Sequence, residues 1–143
     1  MWNIVKIKYQ QEQENGSLKT LTESYLVEAV SFSDAEARIY KLMADGAQEF
    51  TVAGISKASF SDIFYDEGAE KFWIARVLYI SINEVSGKEK KVYVNMYVQG
   101  ENILSALRLI EEELKDSLVP YEIVSLKLTS ILEVYPLQED ETA

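Results

Sequence analysis

Arg76, Lys88, Lys90 and Lys91 stand in one stretch with Trp73, Tyr79, Tyr93 and Tyr97, a mixture with a ready chemical use. Cations track phosphates while aromatic rings stack on bases, at about 1–3 kcal/mol per base, and single-stranded nucleic acid is held in this way. Residues 71–100 carry a net charge of +3 inside a chain whose formal net charge is -10, so the stretch stands out against its surroundings. Trp2, Lys6, Lys8, Tyr9 and Tyr25 form a weaker echo. The same residues also have a plainer use, because aromatic side chains are common in strands and lysines beside a turn blunt a sheet edge. The two readings place the rings differently. Rings packed inside the molecule cannot stack on bases, whereas rings sharing an exposed sheet face with Arg76 and Lys90 can.

Carboxylates offer less. Asp62, Asp66 and Glu67 lie close together in the sequence and could serve as a general acid–base pair, but nothing in their spacing demands a pocket, and they read as a solvated acidic linker. Glu111, Glu112 and Glu113 with Asp116 could attract a divalent cation, yet successive helical positions point about 100° apart and do not converge on one ion. The chain has no cysteine and no histidine, which excludes thiolate and imidazole metal sites and every Ser-His or Cys-His relay. No glycine-rich phosphate loop, dinucleotide fingerprint or nucleophile elbow is present. The expectation is therefore a non-enzymatic protein with no catalytic, cofactor or metal site, and no motif identifies a small-molecule substrate. Clustered carboxylates could also imitate a phosphate backbone and occupy a DNA-binding protein, although solubility alone accounts for such charge.

The elements that must position these residues follow from composition and pattern. The 143 residues are 48% hydrophobic and 27% charged, with 2 prolines and 6 glycines, which suits a folded globular chain of one domain or two small halves. A sequence pI near 4.5 disfavours attachment to nucleic acid or anionic membrane by the whole surface. The opening Met1-Trp2-Asn3-Ile4-Val5-Lys6 lacks the pattern of a leader, and no apolar run approaches the roughly 18 residues of a membrane span. A soluble, cytoplasmic protein is expected, and the absence of cysteine fits that compartment.

The chain also resembles itself. Gly16 and Gly87 both sit in turn sequences, 71 residues apart, and at the same offset Tyr25 falls on Met96, Val27 on Val98, Ala35 on Ala106, Ile39 on Ile110, Val52 on Ile123 and Phe64 on Tyr135. Before the turn the offset is 70, matching Lys6-Ile7-Lys8-Tyr9 to Arg76-Val77-Leu78-Tyr79, so one residue is added within the second turn. A fixed offset of this kind predicts an internal repeat.

Each half reads as hairpin, helix, strand. Trp2 to Gln10 with Thr20 to Ala29, and Phe72 to Ile82 with Lys91 to Gln99, are rich in β-branched and aromatic residues around Asn-Gly and Ser-Gly turns. Ser31 and Asn102 stand where N-caps belong, ahead of apolar stripes at helical spacing: Phe32, Ala35, Ile39, Leu42 and Met43, then Ile103, Ala106, Leu107, Ile110 and Leu114. Asp45-Gly46 offers a left-handed helix exit, and Pro120 bars continuation of the second helix. Phe50 to Tyr65 and Tyr121 to Tyr135 are extended stretches expected to break near the middle, where Gly54 permits a kink in the first. The expected fold is α+β: tandem ββαβ units over 1–66 and 71–136, with antiparallel sheets each covered by one helix in a pseudo-two-fold arrangement, and a flexible acidic tail over 137–143.

Trp2, Lys6 to Tyr9, the run from Ser24 to Ile39, Phe50-Thr51-Val52, Ile63-Phe64, Ser86 to Lys91 and Tyr121-Glu122-Ile123 together resemble an uncharacterised domain-of-unknown-function family. Its members are short acidic proteins of Bacteroides-type gut bacteria and their phages or mobile elements. The shared residues are structural, so the resemblance implies no activity and no site residue, only a phage or mobile-element setting. The expected function is a binding or scaffolding module that engages a protein partner or a second copy of itself. The alternative is a single-stranded nucleic-acid binder using Trp73, Arg76, Tyr79, Lys88, Lys90, Lys91, Tyr93 and Tyr97.

Overall fold

A computed structural model describes residues 1–46 and 49–137. Ten elements follow in order: β1 (Trp2–Glu12), β2 (Leu18–Glu28), α1 (Phe32–Leu42), β3 (Thr51–Lys57), β4 (Asp62–Phe64), β5 (Phe72–Ile82), β6 (Glu89–Gln99), α2 (Ile103–Leu114), β7 (Tyr121–Leu128) and β8 (Ile131–Tyr135). The fold is α+β, with two four-stranded sheets ordered β3-β1-β2-β8 and β4-β6-β5-β7. Two compact units result, one of Met1–Ala58 with the stretch from Ser130 onward, the other of Ser59–Thr129. The acidic tail expected beyond Leu137 lies outside the described residues.

Local chemistry accounts for the elements. Gly16 and Gly87 take φ values of 83° and 71° in the two hairpin turns, a left-handed conformation that glycine adopts without steric cost. Five residues join β1 to β2 and six join β5 to β6, so the extra residue is in the turn. The Ser31 hydroxyl accepts a 3.0 Å bond from the Asp34 N–H, and Asn102 Oδ1 accepts a 2.9 Å bond from the Ser105 N–H, satisfying donors that the first helical turn leaves free.

Register follows the offset closely. Asn3 pairs with Val27 and with Lys57 across β1, β2 and β3, and Trp73 pairs with Val98 and Leu128 at the matching positions. The β1–β3 ladder shifts between Lys6 and Ile7, and the β5–β7 ladder shifts between Arg76 and Val77. The residue left over is Ala53 in one ladder and Val124 in the other, so the irregularity does not need Gly54.

Three expectations are corrected. The sheets are mixed rather than antiparallel, because β8 pairs in parallel with β2, and β4 with β6. Parallel neighbours need a long crossover, and the four residues between β3 and β4 or the two between β7 and β8 are too few to return the chain to the start of its own sheet; each short strand therefore completes the other sheet. The extended stretches break at 58–61 and 129–130, where this transfer occurs, and not at Gly54. Gly46 is not left-handed; α1 ends instead through Met43, whose N–H reaches Ile39 O, and a turn in which the Gly46 N–H donates to Met43 O at 3.0 Å.

One core lies between each helix and its sheet. In the first unit Val5, Ile7, Tyr25 and Val27 pack with Ala35 and Ile39; in the second, Trp73, Ala75, Val77, Met96 and Val98 pack with Ala106, Ile110 and Leu114. Asn3 shares the helix side by alternation with Val5, and is fully buried with neither amide atom hydrogen-bonded.

Gly100→Ala should lower stability by about 1–3 kcal/mol in urea denaturation, since its Cβ would come within 2.9 Å of the Ala106 backbone nitrogen. Gly54→Ala, which meets nothing within 4 Å, should be neutral or stabilising by up to about 1 kcal/mol. Asn3→Leu should raise stability by about 1–3 kcal/mol, by removing a buried amide that has no partner.

Candidate functional site

The second hairpin does not assemble its rings and cations on one surface. Trp73 is in the helix-side core, and its indole N–H donates to Gly100 O at 2.8 Å. Tyr97 points to the other face by alternation and is also buried, edge-on to Phe60 at 4.9 Å between ring centroids. Tyr79 is half-buried beside Tyr121, on the helix side. Tyr93 is exposed, and the Arg76 guanidinium lies over it, 4.2 Å from the ring centroid. Lys88, Lys90 and Lys91 are exposed. Thus Arg76, Tyr93 and the three lysines remain available to a phosphate backbone. Trp73 and Tyr97 are corrected to core residues: they are spent on packing and, for Trp73, on a buried hydrogen bond, so no ladder of stacking rings exists here.

The carboxylates singled out in the sequence are exposed and line neither of the two pockets that share Tyr9 and Phe50. Asp62, Asp66 and Glu67 are exposed, and the Asp66 backbone N–H donates to Gln99 Oε1 at 3.0 Å. Glu112 pairs with Lys115 at 2.6 Å on the surface of α2. Among the described residues no group of three carboxylates could hold a metal ion, and no helix is long and apolar enough to cross a membrane.

The site with the most developed geometry lies in the first unit and was missed. On β2, Glu23, Tyr25 and Val27 follow each other on the helix side, and on β1 so do Val5, Ile7 and Tyr9. The Tyr9 hydroxyl donates to Glu23 Oε1 at 2.5 Å and the Tyr25 hydroxyl donates to Glu23 Oε2. Tyr135, delivered by β8, tilts against Tyr25 with ring centroids 5.9 Å apart. The carboxylate is therefore gripped by one phenol on each oxygen, a charge-assisted arrangement stronger than neutral hydrogen bonds. A recess of about 140 Å³ opens beside it, lined by Ile7, Tyr9, Glu23, Met43, Gly46 and Phe50. A larger open groove of about 550 Å³ shares Tyr9 and Phe50 and runs past Lys8, Thr20, Glu49 and Thr51. Tyr40 stacks on Phe50 with centroids 5.1 Å apart, which steadies that wall.

The electrostatics follow from the carboxylate. The Tyr9 phenol is held above its ordinary pKa chiefly by the hydrogen bond to Glu23. Tyr25 is pushed up further, first by burial and then by that same carboxylate, and Tyr135 is raised by burial and by the charges of Glu133 and Glu23. All three phenols are thus kept neutral, and Tyr9 and Tyr25 are donors to the carboxylate.

The second sheet provides a comparison within the molecule. In its register Tyr79 occupies the place of Tyr9, Val94 that of Glu23, Met96 that of Tyr25 and Phe64 that of Tyr135. Those residues pack on the second core. The fold accepts an apolar filling at three of these positions, with a phenol kept only at Tyr79, so the carboxylate and the phenols of Tyr25 and Tyr135 are not needed to build it. The signal was present in the sequence: alternation places Glu23 on the same face as Tyr25 and Val27, and the offset sets it opposite Val94.

The sequence model of the family described as "Domain of unknown function (DUF4494)" matches residues 1–137. No curated protein and no solved structure matches the chain.

Tyr25 keeps its proton in the folded state to higher pH than in the unfolded state, so its contribution is complete below pH about 10 and is lost as pH rises through the folded value. Denaturation midpoints should fall as pH is raised above about 10, and Tyr25→Phe should flatten that fall. In spectrophotometric titration Glu23→Gln should move part of the late tyrosine absorbance to lower pH.

Proposed function

We propose that this chain, which belongs to the DUF4494 family of domains of unknown function, is a non-enzymatic binding protein whose contact surface is the recess on the helix side of the first unit and the groove that adjoins it. The observation that carries the reading is the Glu23 carboxylate, gripped by Tyr9 and Tyr25 beside an open recess, where the second sheet has Val94, Met96 and Phe64. Half-burying a carboxylate costs free energy, and a fold that manages without it in one unit has no structural call for it in the other. Catalysis finds less support: the Tyr9 and Tyr25 phenols are held neutral as donors, and among the described residues no second acid, base or nucleophile lines the recess.

In this reading the two ββαβ stretches are copies of one ancestral unit. The shared register, the paired ladder shifts and the matching caps support that descent. One copy retains an apolar filling, and the other has become a binding surface. The wider setting in this reading is a soluble cytoplasmic protein of a phage or mobile element, supported by the absence of cysteine and the resemblance carried by the run from Ser24 to Ile39. A surface that combines an open groove with a polar recess suits a protein side chain or a small ligand.

Single-stranded nucleic acid is the second reading, favoured by the Arg76 guanidinium on Tyr93 beside exposed Lys88, Lys90 and Lys91. Fluorescence-anisotropy titration of labelled single-stranded and duplex oligonucleotides at two salt concentrations separates the two. The binding-protein reading predicts at most weak association, and no loss of it in a Lys88/Lys90/Lys91 charge-removal variant. Tight, salt-sensitive binding to the single strand that this variant abolishes would transfer the function to the second hairpin.

A further inference from the structure

We infer that the recess beside Glu23 is a receptor for an organic ammonium group, supplied either as a free alkylamine or as a lysine side chain of a partner. This deepens the binding reading above and rests on it. Glu23 has each oxygen engaged by one phenol, and a carboxylate offers about four lone-pair positions in all, so acceptor capacity remains on the side open to the recess. Among the described residues no lysine or arginine lines the recess, and the two phenols that donate to the carboxylate are both neutral. An anion fixed by neutral donors and facing a cavity is complementary to a cation.

The walls strengthen the match. Tyr9 and Phe50 line both the recess and the groove, and aromatic faces attract ammonium groups. Ile7 and Met43 supply the apolar surface that an alkyl stem needs. The recess, at about 140 Å³, has room for a head group and part of a stem, and the adjoining groove receives the rest. Lys8 and Glu49 both line that groove, so its mouth does not repel a cation. The chain's charge of -10 draws cations in from solution. At the corresponding place in the second sheet Val94 replaces the carboxylate, so the anion that would hold an ammonium group is missing there.

Nitrogen-15 NMR titration of the intact chain with n-butylammonium chloride tests the inference, with 1-pentanol as the neutral analogue. The expected result is saturable perturbation of Tyr9, Glu23, Met43 and Phe50, little response to 1-pentanol, and affinity about tenfold weaker in Glu23→Gln, as loss of one charge-assisted contact requires. Should that variant fail to fold, Phe50→Leu leaves the carboxylate in place, removes one aromatic wall and should also weaken binding. A second arm uses a five-residue peptide with one central lysine and the same peptide with that lysine acetylated. Tighter binding of the lysine peptide than of butylammonium assigns the ammonium group to a partner's side chain; equal or weaker binding assigns it to a free amine.

Equal response to amine and alcohol, or an amine affinity unchanged in Glu23→Gln, overturns the inference. If neutral or anionic fragments perturb the groove while amines do not, the ammonium assignment falls and the binding surface stands. If no fragment of any charge perturbs it, both fall.

Discussion

The fold depends on an exchange of edge strands. Each half of the chain builds a hairpin, a helix and a long strand, and that leaves β2 and β6 with a free side whose N–H and C=O groups need partners. The partner comes from the other half in both cases, through the parallel pairing of β8 with β2 and β4 with β6. The exit from each short strand is held in the same way: the Leu137 N–H donates to Glu28 Oε1 at 2.9 Å, and the Asp66 N–H donates to Gln99 Oε1 at 3.0 Å. Arg38 adds a further clamp in the first unit, donating to Glu28 O at 2.5 Å and Tyr135 O at 3.3 Å. Neither sheet is complete with residues from its own half alone, so the two halves must fold with reference to each other.

The same exchange supplies the difference between the units. β8 brings Tyr135 to Tyr25, whereas β4 brings Phe64 to the second core. Two sheets of matching strand order and register therefore carry unlike fillings. Val94, Met96 and Phe64 exclude water by simple packing, a term that grows with apolar area buried. Glu23 and its phenols keep a charge at the edge of the core, where partial desolvation opposes it and two hydrogen bonds offset that cost. Stability alone favours the first solution, and the proposed ligand would give the second a use.

Much of this was legible in residues. Gly16 and Gly87 marked the hairpins because their turns require positive φ, Ser31 and Asn102 marked the helix starts through their side-chain acceptors, and the offset carried the register. The exchange was not legible, because a short strand such as Ile63-Phe64 has the same alternation whichever sheet receives it. Burial of Phe72, Leu78, Tyr97 and Leu26 on the faces away from the helices was also hidden: alternation separates two faces but does not say that both are covered. Trp73 misled for a related reason, since an indole suits a base-stacking surface and a core equally well until its N–H finds Gly100 O. Glu23 was passed over because a charged residue in a strand is ordinarily solvated, although its position between Leu21 and Tyr25 argued otherwise.

The most direct test of the central claim, that the first unit's helix side is a ligand recess while the second unit's is a closed core, is an intermolecular NOE measurement on the full chain with n-butylammonium in excess. The account predicts contacts from the ligand's methylene protons to the ring protons of Tyr9 and Phe50 and none to Tyr79 or Tyr121. Contacts of equal strength in both units, or contacts only to the rings of the second, would contradict it.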